Sequence, residues 1–219
     1  GAFGDVVTLA HELGHAWHNE CIKDHRVLNH DCSMPLAETA STFNECVVMA
    51  SAIAKAADDN EKLALIESQL QDATQIICDI YSRFRFEKSV FEKRPEEFMH
   101  ADTLCQLMTD AQKASYGDGL DEATLHPYMW VCKGHYYGPT FYNFPYAFGG
   151  LFARGLYAQY EKEGAAFIPK YIRLLHTTPV ASAEEVAKVA DIDLTDKAFW
   201  RAALQTIADQ IDLFCELVK

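Results

Sequence analysis

The sequence predicts an all-α fold with little or no sheet, and three observations carry that prediction. Apolar residues recur at three- and four-residue spacing through most of the 219 residues. Breakers and caps divide this pattern into helix-length pieces. Strand-like character is confined to the short run from Tyr128 to Cys132.

In chain order, Asp5 is the expected N-cap of a first helix reaching about Glu20. Residues 21 to 34 are polar and read as a loop. A second helix is expected from about Pro35 to Ala57, where Phe43 and Val47 fall four apart, and Asp58-Asp59-Asn60 breaks it. A long third helix, from about Glu61 to Phe91, carries Leu63, Ile66, Leu70, Ile77 and Ile80-Tyr81. Arg94-Pro95 interrupts it, a helix from about Pro95 to Tyr116 follows, and Gly117-Asp118-Gly119 marks a turn. Asp121 to Pro139 is irregular and aromatic. Helices are then expected from about Thr140 to Glu163 and from about Ala165 to His176. Ser182-x-x-Glu185 has the form of a capping box, and Thr195 or Asp196 opens the last helix.

Bulk properties narrow the partners. Apolar content of 49% lets the chain bury a substantial core, as one domain or two closely packed lobes. A formal charge of -13 without a Lys/Arg cluster disfavours nucleic acid and anionic membrane surfaces, because phosphate binding needs concentrated positive charge. No apolar run approaches the ~20 residues of a membrane span. The seven cysteines (Cys21, Cys32, Cys46, Cys78, Cys105, Cys132 and Cys215) are odd in number, scattered, and lack a C-x-x-C pair. That usage fits a reducing cytoplasm better than a disulfide framework.

The chemistry is concentrated in His11-Glu12-Leu13-Gly14-His15. On a helix His11 and His15 project from one face a turn apart, so two imidazoles can grip one Zn²⁺ with Glu12 beside them as a general base. The motif needs a third ligand. His18 shares the face, yet seven residues of helix rise roughly 10.5 Å, too far for a metal with ~2 Å bonds; it reads as a rim or structural histidine. Glu38 is the better candidate, because a second helix folded back on the first can bring one carboxylate to the metal. Glu45, seven residues on, is placed to accept the other ring N–H of a ligand histidine. A solvated Glu38/Glu45 stripe, a ligand from His25, His30 or Asp31, and a thiolate from Cys21, Cys32 or Cys46 are the competing readings of the spacing.

Asp5-Val-Val-Thr-Leu-Ala-His11-Glu12-Leu-Gly-His15-Ala followed by Ala37-Glu38-Thr-Ala-Ser-Thr-Phe-Asn-Glu45 resembles the oligoendopeptidase F branch of the thimet oligopeptidase family. The resemblance implies a helical zincin-type catalytic domain over residues 1–219, with His11, His15 and Glu38 on zinc, Glu12 as base and Glu45 orienting a histidine. It extends to Gly134-His135-Tyr136-Tyr137-Gly138-Pro139-Thr140-Phe141-Tyr142-Asn143-Phe144-Pro145-Tyr146. There it implies that His135, Tyr142 and Tyr146 contact substrate and the tetrahedral oxyanion, with Tyr136 or Tyr137 as alternatives in register. The substrates implied are short peptides cut internally. In that family the zinc motif lies past the middle of a longer chain, so this one is expected to be the C-terminal part of a two-lobed peptidase, partnered by an N-terminal lobe of the same polypeptide. Zinc chemistry is thus encoded here, and turnover by this piece alone is a separate question. The alternatives are a metallocarboxypeptidase of similar helical type, with Arg154 or Arg173 holding a terminal carboxylate, and a non-catalytic helical fragment that retains the zinc site.

Overall fold

The computed structural model describes residues 3–219. In chain order the α-helices are α1 (Phe3–Ile22), α2 (Met34–Ala37), α3 (Thr39–Lys55), α4 (Asp59–Thr74), α5 (Ile80–Lys93), α6 (Ala101–Tyr116), α7 (Met129–Cys132), α8 (Phe144–Glu163), α9 (Ile168–Thr177), α10 (Ala183–Lys188) and α11 (Lys197–Leu217). There is no strand among the described residues. The all-α expectation is met.

Several expected boundaries move, each for a local reason. Asp5 lies inside the first turn of α1, where its charge complements the helix N-terminus instead of capping it. The expected second helix breaks at Glu38, whose backbone (φ -89°, ψ 4°) separates α2 from α3. The long third helix contains a π-helical turn at Gln75–Asp79. The apolar pattern continues through this turn, so the spacing does not reveal it. Residues 94–100 are turn and extended chain, which delays α6 to Ala101. Met129–Cys132, the strand-like run, is a single helical turn. α8 begins at Phe144 instead of Thr140, because Phe141 has φ 54° and cannot continue a right-handed helix.

Two predicted starts hold. Ser182 Oγ accepts from the Glu185 N–H at 3.3 Å while the Glu185 carboxylate accepts from the Ser182 N–H at 2.9 Å, a complete capping box. Asp196 caps α11 by accepting from the Ala198 N–H at 2.8 Å.

The chain forms two compact units. The first comprises the chain up to Gln71 together with Phe148–Lys219. Its core gathers Leu36, Ala40 and Phe43 with Phe152, Leu156, Leu174 and Leu175. Phe43 stacks on Tyr171 with ring centroids 4.4 Å apart, which seats α3 against α9. α1 lies along α3, burying Ala10, Gly14, His18 and Ile22. This four-residue repeat is the stripe of a helix packed on one side.

The second unit is Asp72–Ala147. Phe86 of α5 packs with Met108 and Ala111 of α6, and Tyr136 meets Phe86 edge-on at 5.1 Å. Arg83 is buried, ion-paired with Asp79, and donates to Asn143 Oδ1 at 3.4 Å. Glu87 Oε1 accepts from the Phe141 N–H at 2.7 Å. α5 therefore grips the residues on both sides of Tyr142. All seven cysteines are free, and among the described residues no helix is long and apolar enough to cross a membrane.

Candidate metal centre

α1 and α3 can present ligands to a common point because they touch backbone to backbone. A Cβ on Gly14 would lie 2.5 Å from the Ala40 carbonyl oxygen and 2.5 Å from Ser41 Cα. Any side chain there would push the helices apart. Asn44 Nδ2 adds a tie, donating to the Ala10 carbonyl at 3.2 Å. On the other side of Glu38, α8 runs close through Gly149, whose Cβ would meet Glu38 Cβ at 3.3 Å.

The three expected ligands converge. His11 Nε2 and Glu38 Oε2 are 3.3 Å apart, His15 Nε2 and Glu38 Oε2 are 3.4 Å apart, and the two Nε2 atoms are 3.1 Å apart. A tetrahedral ion with bonds of about 2.0–2.1 Å separates its ligands by about 3.3–3.4 Å. The donor set, two imidazoles and a carboxylate with a face left open, suits a catalytic zinc better than a closed structural one. Among the described residues no other group of three His, Cys, Asp or Glu side chains is so disposed. The residues present fit the ion.

The surroundings hold each ligand. His11 Nδ1–H donates to Glu45, which fixes the ring and leaves Nε2 for the metal. Ser41 Oγ–H donates to Glu38 Oε2 at 2.8 Å. Without a cation, Glu38 and then Glu45 hold the proton on His11 so firmly that its pKa rises to about 10. His11, reinforced by Ser41 against the cost of burial, lowers Glu38 to about 2. Both charges are thus fixed at neutral pH, and a metal ion entering the site displaces the proton on Nε2. Glu12 is exposed on α1 and makes no hydrogen bond or ion pair among the described residues, so its carboxylate is available to a proton.

The competing ligands lie elsewhere. His18 is buried against Thr178, its Nε2 2.7 Å from Oγ1. Thr178 in turn donates to the Leu175 carbonyl at 2.8 Å, so the histidine Nε2–H is the donor to Thr178. His25 Nε2 donates to the His176 carbonyl at 2.7 Å and His30 Nε2 to the His25 carbonyl at 2.8 Å. None of the cysteines joins the cluster. Arg173 is exposed on α9.

In the second unit His135, Tyr142 and Tyr146 form one aromatic cluster. His135 stacks on Tyr142 at 5.5 Å and meets Tyr146 edge-on at 5.8 Å, and the two tyrosines are 5.8 Å apart. His135 Nδ1 is buried without a hydrogen-bond partner. Tyr136 and Tyr137 are engaged otherwise: the former packs on Phe86, and the latter donates to the Trp130 carbonyl at 3.0 Å. Sequence reasoning passed over Ser41, Asn44 and Gly149. Ser41 carried a signal, since it stands three residues after Glu38 and hence on the same helix face.

The fold is helical, and the site has a donor set that could hold a metal ion, with both histidines on one helix and the carboxylate between two others. Residues 2–206 match peptidase family M3, and the chain belongs to that family. It is 26% identical over 216 residues to oligopeptidase PepF of Bacillus subtilis, covering 98% of this chain and 32% of that protein. It is 29% identical over 217 residues to an oligoendopeptidase F homolog of Borreliella burgdorferi, covering 97% of this chain and 35% of that protein. The crystal structure of oligoendopeptidase-F from Enterococcus faecium superposes with a TM-score of 0.83 at 20% identity, over 99% of this chain and 39% of that one. The chain spans about a third of the length of the curated relatives it matches.

Proposed function

We propose that this chain carries the catalytic zinc site of an oligoendopeptidase that cuts internal bonds of short peptides. The observation that supports the reading most directly is the set of 3.1–3.4 Å separations among His11 Nε2, His15 Nε2 and Glu38 Oε2, with Glu12 unengaged on the same helix. Zinc held by those three atoms would supply Lewis-acid polarisation of the scissile carbonyl and acidify a water. Glu12 would accept a proton from the water that adds to the carbonyl carbon and would return it to the leaving amine nitrogen as the C–N bond breaks. Glu45 keeps the His11 ring from rotating, and Ser41 keeps Glu38 anionic and aimed. His135, Tyr142 and Tyr146, the donors that the family resemblance nominates, hold the peptide and hydrogen-bond the oxyanion through ring N–H and phenol O–H groups.

The test is hydrolysis of an internally quenched, end-blocked peptide by zinc-loaded protein, beside Glu12→Gln at matched zinc content. Cleavage that the variant loses by at least about 100-fold fits a general base; equal cleavage by both proteins defeats the assignment. A blocked C-terminus also excludes a carboxypeptidase. Zinc stoichiometry of His11→Ala reads the metal site independently of turnover: undiminished zinc would reject the ligand set.

A further inference from the structure

A polar cavity of about 220 Å³ lies in the first unit between α3, α4, α8 and α11. It has room for roughly seven waters at ~30 Å³ each. Arg154, only 9% exposed, lines it. Its guanidinium makes no hydrogen bond or ion pair among the described residues. The guanidinium is wetted only through this cavity, so an anion that enters it meets an unpaired cation at a mostly buried position. Gln69, 8% exposed, lines the same cavity from α4; its Oε1 accepts from Gln210, which leaves its own amide N–H groups for another acceptor. Gln210 Oε1 is buried and unpartnered. Two carboxylates also line it, Glu161 seven residues after Arg154 on α8 and Asp209 on α11; neither is ion-paired with Arg154, and they accept from Tyr157 and, at 2.8 Å, from Gln205 Nε2 respectively.

One cavity therefore presents a buried guanidinium with amide donors and, beside them, two carboxylates and a bare amide oxygen. We propose that it binds a small zwitterion, a free dipeptide or amino acid, whose carboxylate pairs with Arg154 and Gln69 and whose ammonium is held by Glu161 and Asp209. A simple anion would meet repulsion from the carboxylates, and a simple cation from the guanidinium; a ligand with both charges satisfies both kinds of group. That the ligand comes from peptide hydrolysis rests on the peptidase reading, whereas the binding itself does not. Cys46 also lines the cavity and directly follows Glu45 on α3. An occupant is thus seated against the helix that carries Glu45 and follows Glu38, which makes the cavity a site where released product can bear on the metal centre.

The experiment is calorimetric titration of the metal-free full chain with alanyl-alanine, N-acetyl-alanyl-alanine, alanyl-alanine amide and acetate. Millimolar or tighter binding of the free dipeptide is expected, weakened at least about tenfold by blocking either end and by Arg154→Gln. His11→Ala is expected to leave it unchanged, which separates this site from the metal centre. Should Arg154→Gln fail to fold, Glu161→Gln and Asp209→Asn, both at exposed positions, are expected to erase the preference for the free over the acetylated amine. No binding at millimolar dipeptide, acetate binding as tightly as dipeptide, or loss of binding in His11→Ala would each overturn the proposal.

Discussion

Gly14 and Ser41 meet so closely that a Cβ on the glycine would stand 2.5 Å from the serine Cα. Since His15 follows Gly14 and Ser41 holds Glu38, this approach sets how far the histidine helix stands from the carboxylate. Gly14→Ala has nowhere to put its methyl except by moving backbone. The expected outcome is a loss of about 1–3 kcal/mol of stability, as for overpacking elsewhere, together with reduced zinc stoichiometry. Chemical denaturation and metal analysis would read both, and wild-type zinc content in a folded Gly14→Ala protein would show that the approach does not set the site.

Ser41 bears on the proposed metal site through Glu38. Its hydroxyl donates to Oε2, the same oxygen that lies 3.3–3.4 Å from the histidine nitrogens. Ser41→Ala leaves the three ligands in place and removes only the group that orients one of them. Zinc affinity is expected to fall about 10- to 100-fold with little change in helical content. Competition against a chelating dye measures it; an affinity unchanged within a factor of two counts against the role.

The helices and the ligand pattern were legible in the sequence because both follow local rules. A four-residue histidine spacing fixes a shared helix face, and Ser182-x-x-Glu185 fixes a cap. What escaped depends on non-local contact. The break at Glu38 lies in a stretch whose apolar spacing continues across it, and the π-helical turn at Gln75–Asp79 is masked in the same way. The delayed start of α8 follows from Phe141, whose left-handed backbone is held by a carboxylate 54 residues earlier. Arg154 enters the sequence reading only as a carboxylate holder in the carboxypeptidase alternative; that its guanidinium has no protein partner depends on how distant helices pack, which spacing does not show.

Glu87 secures the segment around Tyr142. It is buried, and its Oε1 is the acceptor for the Phe141 N–H. Glu87→Ala orphans that N–H beside a strained backbone, a change expected to cost about 1–3 kcal/mol. Because no metal ligand is touched, zinc content should stay at the wild-type level while peptide turnover falls if Tyr142 serves the reaction. Measuring the two together separates a positioning loss from a damaged metal site, and a simultaneous loss of zinc would refute the separation.

His18 gives the fold an acid limb. Burial, followed in importance by its hydrogen bonding to Leu175 in the opposite sense and by the nearby His15, lowers its pKa below the usual 6.5. The unfolded chain returns it to about 6.5. Between these values the unfolded state binds a proton that the folded state does not, so stability rises with pH across that interval. The contribution is complete above about pH 7 and is lost as pH falls below 6.5 toward the folded-state pKa. In the metal-free protein His11, raised to about 10, keeps its proton in the folded state while the unfolded chain loses it near 6.5, so it adds a slope of opposite sign above that pH; Glu38, lowered to about 2, adds only a small slope at the acid end, and both act equally in the native chain and in a variant at His18. His18→Gln keeps an amide N–H for Thr178 and cannot titrate. Denaturant midpoints of metal-free protein, measured between about pH 8 and pH 5, should drop in the native chain relative to the variant as pH falls, the His11 slope being common to both. Parallel curves would mean that the buried histidine takes up its proton without cost.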